Sequence, residues 1–300
     1  MQRRTLLTSA LVAASGLAVA AAPSTGAARG PTRPSVNTSD GVQLFYRDWG
    51  AGKPVVFLHS WGMNSSMWGY QMADLLGHGL RCVAYDRRGH GLSADPGRGY
   101  DADTLADDLA AVMNTLGLRG ATLVGHSMAG GEIVRYLSRH GPDRVAGVVL
   151  LASTTPFLTR TQDNPGGVDA AVFEAGRDQW RHDFPKWVDD NAAPFFVAET
   201  SPAMRRWAMD MLLTTSLPVL LACNHVVVET DYRPDLRSMK TRTLVIHGDQ
   251  DTSAPLERTG RPSAALIPGA RLVVYEGAPH GLFLTHKDRL NDDLRAFVGT

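Results

Sequence analysis

The sequence has only two cysteines in 300 residues and no excess of charge of either sign. Two cysteines are too few for a disulfide scaffold, and we predict that Cys82 and Cys223 are small buried residues. The 30 Lys and Arg residues balance the 30 Asp and Glu residues, so the formal net charge is zero. Nucleic acid is therefore an unfavourable partner, because no basic field exists to hold a phosphate backbone.

The composition is that of a globular protein. Apolar residues make up 44% and charged residues 20% of the chain, which excludes a disordered tail protein, a coiled coil and a collagen-like fibre. The length is sufficient for one large domain or two smaller ones.

The first 30 residues resemble an export signal. Arg3 and Arg4 precede an Ala-rich apolar stretch, Leu6 to Ala22, which contains Ala-x-Ala cleavage candidates such as Ala18-Val19-Ala20. The paired arginines followed by Thr-Leu-Leu are similar to a twin-arginine signal. A membrane anchor is the alternative, but about 20 strongly apolar residues are needed to span a bilayer. We expect export to the cell envelope or beyond, and no stable membrane span.

The remaining chain alternates short apolar strands with helices. Two short strands surround an Asp40-Gly41 turn signal, and later segments such as Val55 to Leu58 are apolar on both faces. Further strands of this kind are predicted at 81–85, 121–124, 145–151, 243–246 and 272–275. Strands of this type separated by helices predict an α/β fold with a mostly parallel sheet covered on both faces.

One long segment interrupts this alternation. Ser153 to Arg237 has no buried-strand pattern, is rich in Trp and Phe, and is too long for a structureless loop. We predict a helical cap over the carboxyl end of the sheet. The expected domains are a first core part at 36–153, the cap at 154–236 and a second core part at 237–300.

The segment from Ala121 to Gly131 is typical of a strand, a tight turn and a helix, with Ser127 at the turn. This is the context of a nucleophile elbow, in which the residues two before and two after the serine must be small. Gly125 satisfies the requirement, and Ala129 replaces the usual glycine. An ordinary glycine-rich turn is the alternative.

Two further strand ends supply the partners that a serine nucleophile needs. The strand at 243–246 runs into Asp249 and Asp251, and the strand at 272–275 is followed by His280. The order Ser, Asp, His is the one this fold requires. We predict Ser127 as nucleophile, His280 as base and Asp251 as the group that orients the histidine. Asp249 competes for this last role, but it lies closer to the strand, where it is expected to cap the turn. Simple turn formation is the alternative for both aspartates, and a surface loop position for His280.

Acyl transfer also needs hydrogen-bond donors for an oxyanion. The backbone N–H of Met128, directly after the nucleophile, is one candidate. The second is the backbone N–H of Trp61, in the loop after the strand at 55–58. His59 and His126 are interpreted as structural residues.

Several motifs together resemble the α/β-hydrolase superfamily, and within it the bacterial aryl esterases and the cofactor-free haloperoxidase-like perhydrolases. They are His59-Ser60-Trp61-Gly62, Tyr85 to Ser93, Gly125-His126-Ser127-Met128, Val145 to Leu151, Glu229 to Asp235, His247 to Asp251 and Ala278-Pro279-His280-Gly281. The resemblance covers essentially the whole chain from Val36. It implies the same triad and the same oxyanion donors. Ser60 and Ala129 stand where the family usually has glycine.

The resemblance implies hydrolysis of carboxylic esters of small or aromatic groups through an acyl-enzyme on Ser127, without a cofactor or metal. Perhydrolase or lactonase activity at the same site is the alternative, and a non-catalytic ligand-binding role is a third possibility. Phe157 and Phe283 are candidates for the wall of the substrate pocket, unless such aromatics only pack within the protein. A small-molecule ester is the expected partner, with a homo-oligomer left open.

Overall fold

Eight strands form one sheet at the centre of the fold, in the order β1-β2-β4-β3-β5-β6-β7-β8. A computed structural model describes residues 33–299, so the export signal predicted for residues 1–30 lies outside the described residues. The strands are β1 (Ser35–Asn37), β2 (Gln43–Trp49), β3 (Pro54–Leu58), β4 (Arg81–Tyr85), β5 (Ala121–His126), β6 (Val145–Leu151), β7 (Thr243–Gly248) and β8 (Arg271–Tyr275).

The sheet is mostly parallel, which confirms the predicted fold class. β2 pairs antiparallel with β1 and β4, whereas the pairs from β4 to β8 are all parallel. Each of the inner strands is apolar on both faces, as parallel strands covered by helices must be. The carboxyl ends of β3, β5, β7 and β8 therefore lie along one edge, and the loops that follow them carry the candidate site.

Helices cover both faces of the sheet. They are α1 (Gly69–Gly77), α2 (Ala102–Thr115), α3 (Ala129–His140), α4 (Ala170–Asn191), α5 (Pro202–Leu213), α6 (Leu217–Glu229), α7 (Arg233–Ser238), α8 (Gly260–Leu266), α9 (Leu282–Thr285) and α10 (Lys287–Val298). Successive β3 residues alternate between two cores: Val56 joins the cluster that holds α2 and α3, and Phe57 joins the cluster that holds α1 and α10. Cys82 and Cys223 are both buried and free, as predicted.

The segment between β6 and β7 contains α4 to α7 and a short 3₁₀ helix at Ala193–Phe195. α4 is kinked at Asp183, whose backbone is non-helical two residues before Pro185. α7 packs against α3 and α8, and its Leu236 is fully buried in the core. The cap over the site therefore consists of α4, α5, α6 and the 3₁₀ helix, and α7 belongs with the core, although it lies largely inside the predicted cap range.

Among the described residues, no individual helix has both the length and the apolarity that a membrane crossing needs. α5 and α6 meet the requirement only as a pair, and they are bent by 93° relative to each other.

Candidate active site

Ser127 occupies a sharp turn between β5 and α3. Its φ is +58°, in the left-handed region that non-glycine residues rarely adopt. The turn is held by the Ser127 N–H, which donates to Leu151 O at 2.9 Å, and by Gly130 N–H, which donates to Ser127 O at 3.1 Å. The strained backbone presents the Ser127 hydroxyl at the carboxyl edge of the sheet, where it lines a cavity beneath the cap.

Small residues are required near Ser127, and the steric cause differs from one position to the next. A Cβ at Gly125 would lie 2.9 Å from Ala129 O and 2.7 Å from the Ile133 side chain, so strand and helix approach too closely for any side chain there. After the serine, the closest approach falls at Gly130, where a Cβ would collide with Ser153. Ala129 is fully buried among apolar core residues. Its methyl group therefore occupies core space, and the turn keeps its geometry without a glycine at this position.

The structure brings Ser127, His280 and Asp251 into one hydrogen-bonded chain. His280 Nε2 lies 3.0 Å from Ser127 Oγ, and His280 Nδ1 lies 2.7 Å from Asp251 Oδ2. All three residues are at least nine-tenths buried. A base within hydrogen-bond reach of a hydroxyl, oriented in turn by a carboxylate, is the arrangement that activates a serine nucleophile.

Asp251 is held as a carboxylate by its neighbours. Burial alone would raise the pKa of Asp251, but the charge of His280 and hydrogen bonds from His247 and His280 outweigh it and hold this pKa below its ordinary value. The Ala254 N–H also donates to Asp251 Oδ1 at 2.7 Å. The carboxylate is thus fixed in position and available to hold the Nδ1–H of His280.

Asp249, the other acidic candidate, does not join the chain. It is exposed, and its Oδ1 accepts a hydrogen bond of 2.8 Å from the Gly277 N–H. The structure therefore places Asp249 as a brace between the two turns that follow β7 and β8.

The two candidate oxyanion donors belong to different loops: Trp61 follows β3, and Met128 directly follows Ser127. Within residues 33–299, neither the Trp61 nor the Met128 backbone N–H donates to a protein acceptor. Trp61 lines the same cavity as Ser127 and His280. Its indole Nε1–H donates to Leu220 O in α6 at 2.9 Å, and Thr215 Oγ1 donates to Gly62 O at 2.8 Å. The loop that carries Trp61 is therefore fastened to the cap.

A buried ion pair behind this loop was missed by sequence reasoning. Arg87 Nε donates to Glu132 Oε1 at 2.6 Å, and Arg87 Nη2 donates to His59 O at 2.8 Å. Burial raises the pKa of Glu132 above its ordinary value, although the charge of Arg87 opposes the shift. The pair connects the loop before Trp61 with the first turn of α3, which follows Ser127. The only sequence signal was the position of Arg87 in the Tyr85 to Ser93 motif.

His59 and His126 have structural contacts. His59 Nε2 accepts from the Arg87 N–H at 2.9 Å, so its Nδ1–H donates to Ser60 O. His126 Nε2 lies 2.9 Å from His280 O and supports the backbone of the loop that carries His280. Burial, followed by the charge of His280, lowers the pKa of His126 to about 3. Both rings are therefore neutral supports at pH 7.

The cavity at Ser127 has a volume of about 310 Å³ and an aromatic wall supplied mainly by the cap. Its large apolar residues are Trp61, Met63, Trp180, Trp187, Val188, Phe195, Met209, Leu212 and Val227. The prediction that Phe157 and Phe283 line this cavity is corrected by the structure. Phe157 lines a separate surface groove beneath the Arg233 guanidinium. Phe283 is fully buried, because the start of α9 turns its ring into the core against Trp68 and His126.

No group of three or more His, Cys, Asp or Glu residues suited to a metal ion occurs in the part of the chain that the structure describes.

Comparison with known proteins identifies the family of the chain. Residues 53–287 match the family described as alpha/beta hydrolase fold. The chain is 41% identical to a non-heme chloroperoxidase of Kitasatospora aureofaciens, over 88% of this chain and 99% of that protein. It is 36% identical to a bifunctional esterase/perhydrolase of Acinetobacter calcoaceticus, over 88% of this chain and 98% of that protein.

Solved structures give the same result. An esterase of Exiguobacterium antarcticum superposes with a TM-score of 0.86 at 30% identity, over 90% of this chain and all of that chain. The match of the family covers well over half of the sequence, and the resemblance drawn from the motifs is confirmed. The chain therefore belongs to the alpha/beta hydrolase fold family.

Proposed function

We propose that this hydrolase cleaves carboxylic esters through an acyl-enzyme on Ser127. The observation that carries the proposal is the buried relay from Ser127 Oγ to His280 Nε2 at 3.0 Å and from His280 Nδ1 to Asp251 at 2.7 Å. His280 takes the proton of Ser127 as the hydroxyl oxygen attacks the ester carbonyl carbon. Asp251 holds the correct tautomer and stabilises the imidazolium that forms.

The developing oxyanion binds to the N–H groups of Met128 and Trp61. Both are backbone donors on rigid supports, so they stabilise charge without reorganising during the reaction. His280 then gives its proton to the leaving alcohol as the C–O bond breaks. Water attacks the acyl-enzyme by the same route, with His280 as base, and releases the acid and free Ser127.

The preferred substrates are esters of small or aromatic groups. The supporting observation is the cavity, which at about 310 Å³ is at the small end of ligand sites and has three tryptophans in its wall. Flat aromatic groups can stack on such rings, whereas long acyl chains exceed the space.

Perhydrolysis at the same site is the second candidate, favoured by the names of the relatives, which include chloroperoxidases and an esterase/perhydrolase. Hydrogen peroxide in place of water would attack the acyl-enzyme and release a peracid, which can oxidise halide. Lactone opening would use the same steps with a cyclic ester. A ligand-binding role without catalysis is disfavoured. Ligand binding alone would not require a serine with a strained backbone within a buried hydrogen-bonded chain of three residues.

The first experiment is hydrolysis of 4-nitrophenyl acetate by the protein and by Ser127→Ala, with and without hydrogen peroxide. We expect Ser127→Ala to lose at least about 10³-fold in kcat. Peracid formation that depends on Ser127 would support the second candidate. Failure of a serine-directed phosphonate to label Ser127 in the folded protein, together with no turnover, would refute the proposal.

The two aspartates supply a matched pair of variants. Asp251→Asn should lower kcat by about 10³–10⁴-fold, because the amide no longer fixes the tautomer of His280. Asp249→Asn removes the same charge from an exposed turn nearby and should leave kcat within about twofold. Equal losses in both variants would contradict the assigned roles.

We also propose that residues 1–30 direct export through the twin-arginine route. The support is the Arg3-Arg4 pair, the Ala-rich apolar stretch and the Ala-x-Ala sites. Replacing both arginines with lysine should retain the precursor inside the cell, as measured by fractionation and N-terminal sequencing. Unchanged export of the lysine variant would rule out this route.

A further inference from the structure

The wall of the cavity at Ser127 carries no formal charge. Of the described residues that line it, none is Asp, Glu, Lys or Arg, and His280 is the single histidine among them. Apart from the triad, the polar members are hydroxyl and amide side chains: Ser60, Thr154, Asn191, Asn224 and Ser253. A charged group carried into this space would lose water without gaining a counter-ion.

Two buried guanidinium groups contact residues of the wall, and each is paired with a carboxylate. Arg177 donates to Asn224 Oδ1 at 2.9 Å and is paired with Glu174 at 2.7 Å. Arg87 reaches Ser60 O at 3.4 Å and is paired with Glu132. Both arginines are buried and lie outside the lining. Neither guanidinium is therefore available to pair with a substrate carboxylate.

The aromatic wall does not form a cage for a cation either. Trp180 packs against Trp61 with the ring centroids 4.8 Å apart, and against Trp187 with the centroids 5.1 Å apart. Trp180 therefore packs between two other indoles, whereas a cation needs a free ring face. No carboxylate of the described lining stands beside them to assist an ammonium group.

We infer that the site accepts only esters whose acyl and alcohol groups are both uncharged. This inference rests on the proposed ester hydrolysis and narrows its substrate class. Esters and lactones that carry a carboxylate, and esters of quaternary ammonium alcohols, are poor substrates at this site. The discrimination appears in kcat/KM, because the desolvation cost is present in the transition state as well as in the bound ester.

The test compares pairs of esters in which one methyl ester is replaced by a carboxylate. Cleavage is followed at the ester that both partners share, and each kcat/KM is divided by the number of equivalent esters and by the rate constant of hydroxide hydrolysis, so that intrinsic reactivity cancels. Dimethyl and monomethyl terephthalate place the charge on the acyl side, and methyl 4-acetoxybenzoate and 4-acetoxybenzoate place it on the alcohol side. We expect kcat/KM to be at least tenfold lower for each anion, which corresponds to about 1.4 kcal/mol. An anion hydrolysed within threefold of its neutral partner would overturn the inference and leave ester hydrolysis intact. No Ser127-dependent turnover of any ester would instead refute the proposed function.

A designed charge supplies the second arm. Asn191 lies exposed at the rim of the cavity, so Asn191→Lys adds a cation there. The ratio of anionic to neutral kcat/KM should rise at least threefold, and the gain should shrink in 0.5 M salt. Asn191→Met, of similar length and without charge, is the control. An unchanged ratio in Asn191→Lys would show that charge is not the discriminating property and would overturn the inference.

Discussion

The Arg87–Glu132 ion pair allows a quantitative test of how the site is held in place. The side chains are 1% and 2% exposed, so each charge depends on the other for its compensation. Removing one member of such a pair leaves an uncompensated buried charge, which costs about 3–5 kcal/mol. Arg87→Met should therefore lower the free energy of unfolding by about this amount. Glu132→Met should do the same, because Arg87 then remains buried without a carboxylate.

The double variant Arg87→Met/Glu132→Met removes both charges together. Its loss of unfolding free energy should be at least about 2 kcal/mol smaller than the sum of the losses in the two single variants, since no unpaired charge remains. Urea denaturation followed by tryptophan fluorescence measures the three values. Strictly additive losses would refute the reasoning, because they would mean that the two side chains do not compensate each other in the folded protein.

The same variants have a kinetic consequence. Arg87 Nη2 holds the carbonyl of His59, two residues before the proposed donor Trp61. The double variant should therefore recover stability without recovering kcat, which we expect to stay about tenfold or more below the parent value, with a smaller change in KM. Initial rates on 4-nitrophenyl acetate in folded samples measure this split. Full kcat in the stable double variant would limit the pair to a structural role.

Three further changes test other parts of the fold. Trp61→Phe keeps an aromatic ring but loses the hydrogen bond to Leu220 O. We expect kcat to fall about fivefold or more and the free energy of unfolding to fall by about 1 kcal/mol. A kcat within twofold of the parent value would show that this hydrogen bond does not support the site. Gly125→Ala should lower the free energy of unfolding by about 1–3 kcal/mol, measured by thermal unfolding, because the new Cβ would collide with Ala129 O. A Cβ at Gly77 would have no atom within 4 Å, so Gly77→Ala should be nearly neutral. Burial lowers the pKa of His90 and of His126 to about 3, against an ordinary value of 6.5. As the pH falls, the histidines of the unfolded chain therefore take up protons before those of the folded protein. The free energy of unfolding is full above pH 6.5 and falls toward pH 3, by about 1.4 kcal/mol per pH unit for each ring. A urea midpoint that stays constant between pH 7 and 5 would contradict this prediction.

The fold could be predicted from the sequence where a run of residues of one type has a single structural explanation. Runs such as Val145 to Leu151 are apolar on both faces, which identifies covered strands, and a parallel sheet then brings their carboxyl ends to one edge. The sequence alone therefore predicts that Ser127, Asp251 and His280 lie near one another. Whether Asp249 or Asp251 faced the histidine depended on turn geometry, which the order of residues favoured but did not determine.

Other features depended on the direction of individual side chains, which the hydrophobic periodicity of the sequence does not predict. Phe283 lies three residues after His280, yet α9 begins between them and turns the ring away from the cavity. Arg87 and Glu132 are 45 residues apart, and their pairing follows from packing between a strand end and a helix. The aromatic wall of the cavity comes from α4 and its neighbours, where a kink at Asp183 interrupts the helical pattern.

The fastening of the cap has a consequence for how substrate choice can diversify in this family. The cap contacts both loops of the site through main-chain carbonyls: Leu220 O accepts from Trp61, and Phe195 O accepts from the Gly281 N–H at 3.1 Å. A carbonyl is retained whatever side chain occupies the position. The side chains of the cap can therefore be exchanged, and the shape of the cavity altered, while the loops that carry Trp61 and His280 keep their anchors. Libraries that vary Trp180, Trp187 and Met209 but keep the helix backbone intact are the ones that should yield folded enzymes with new preferences.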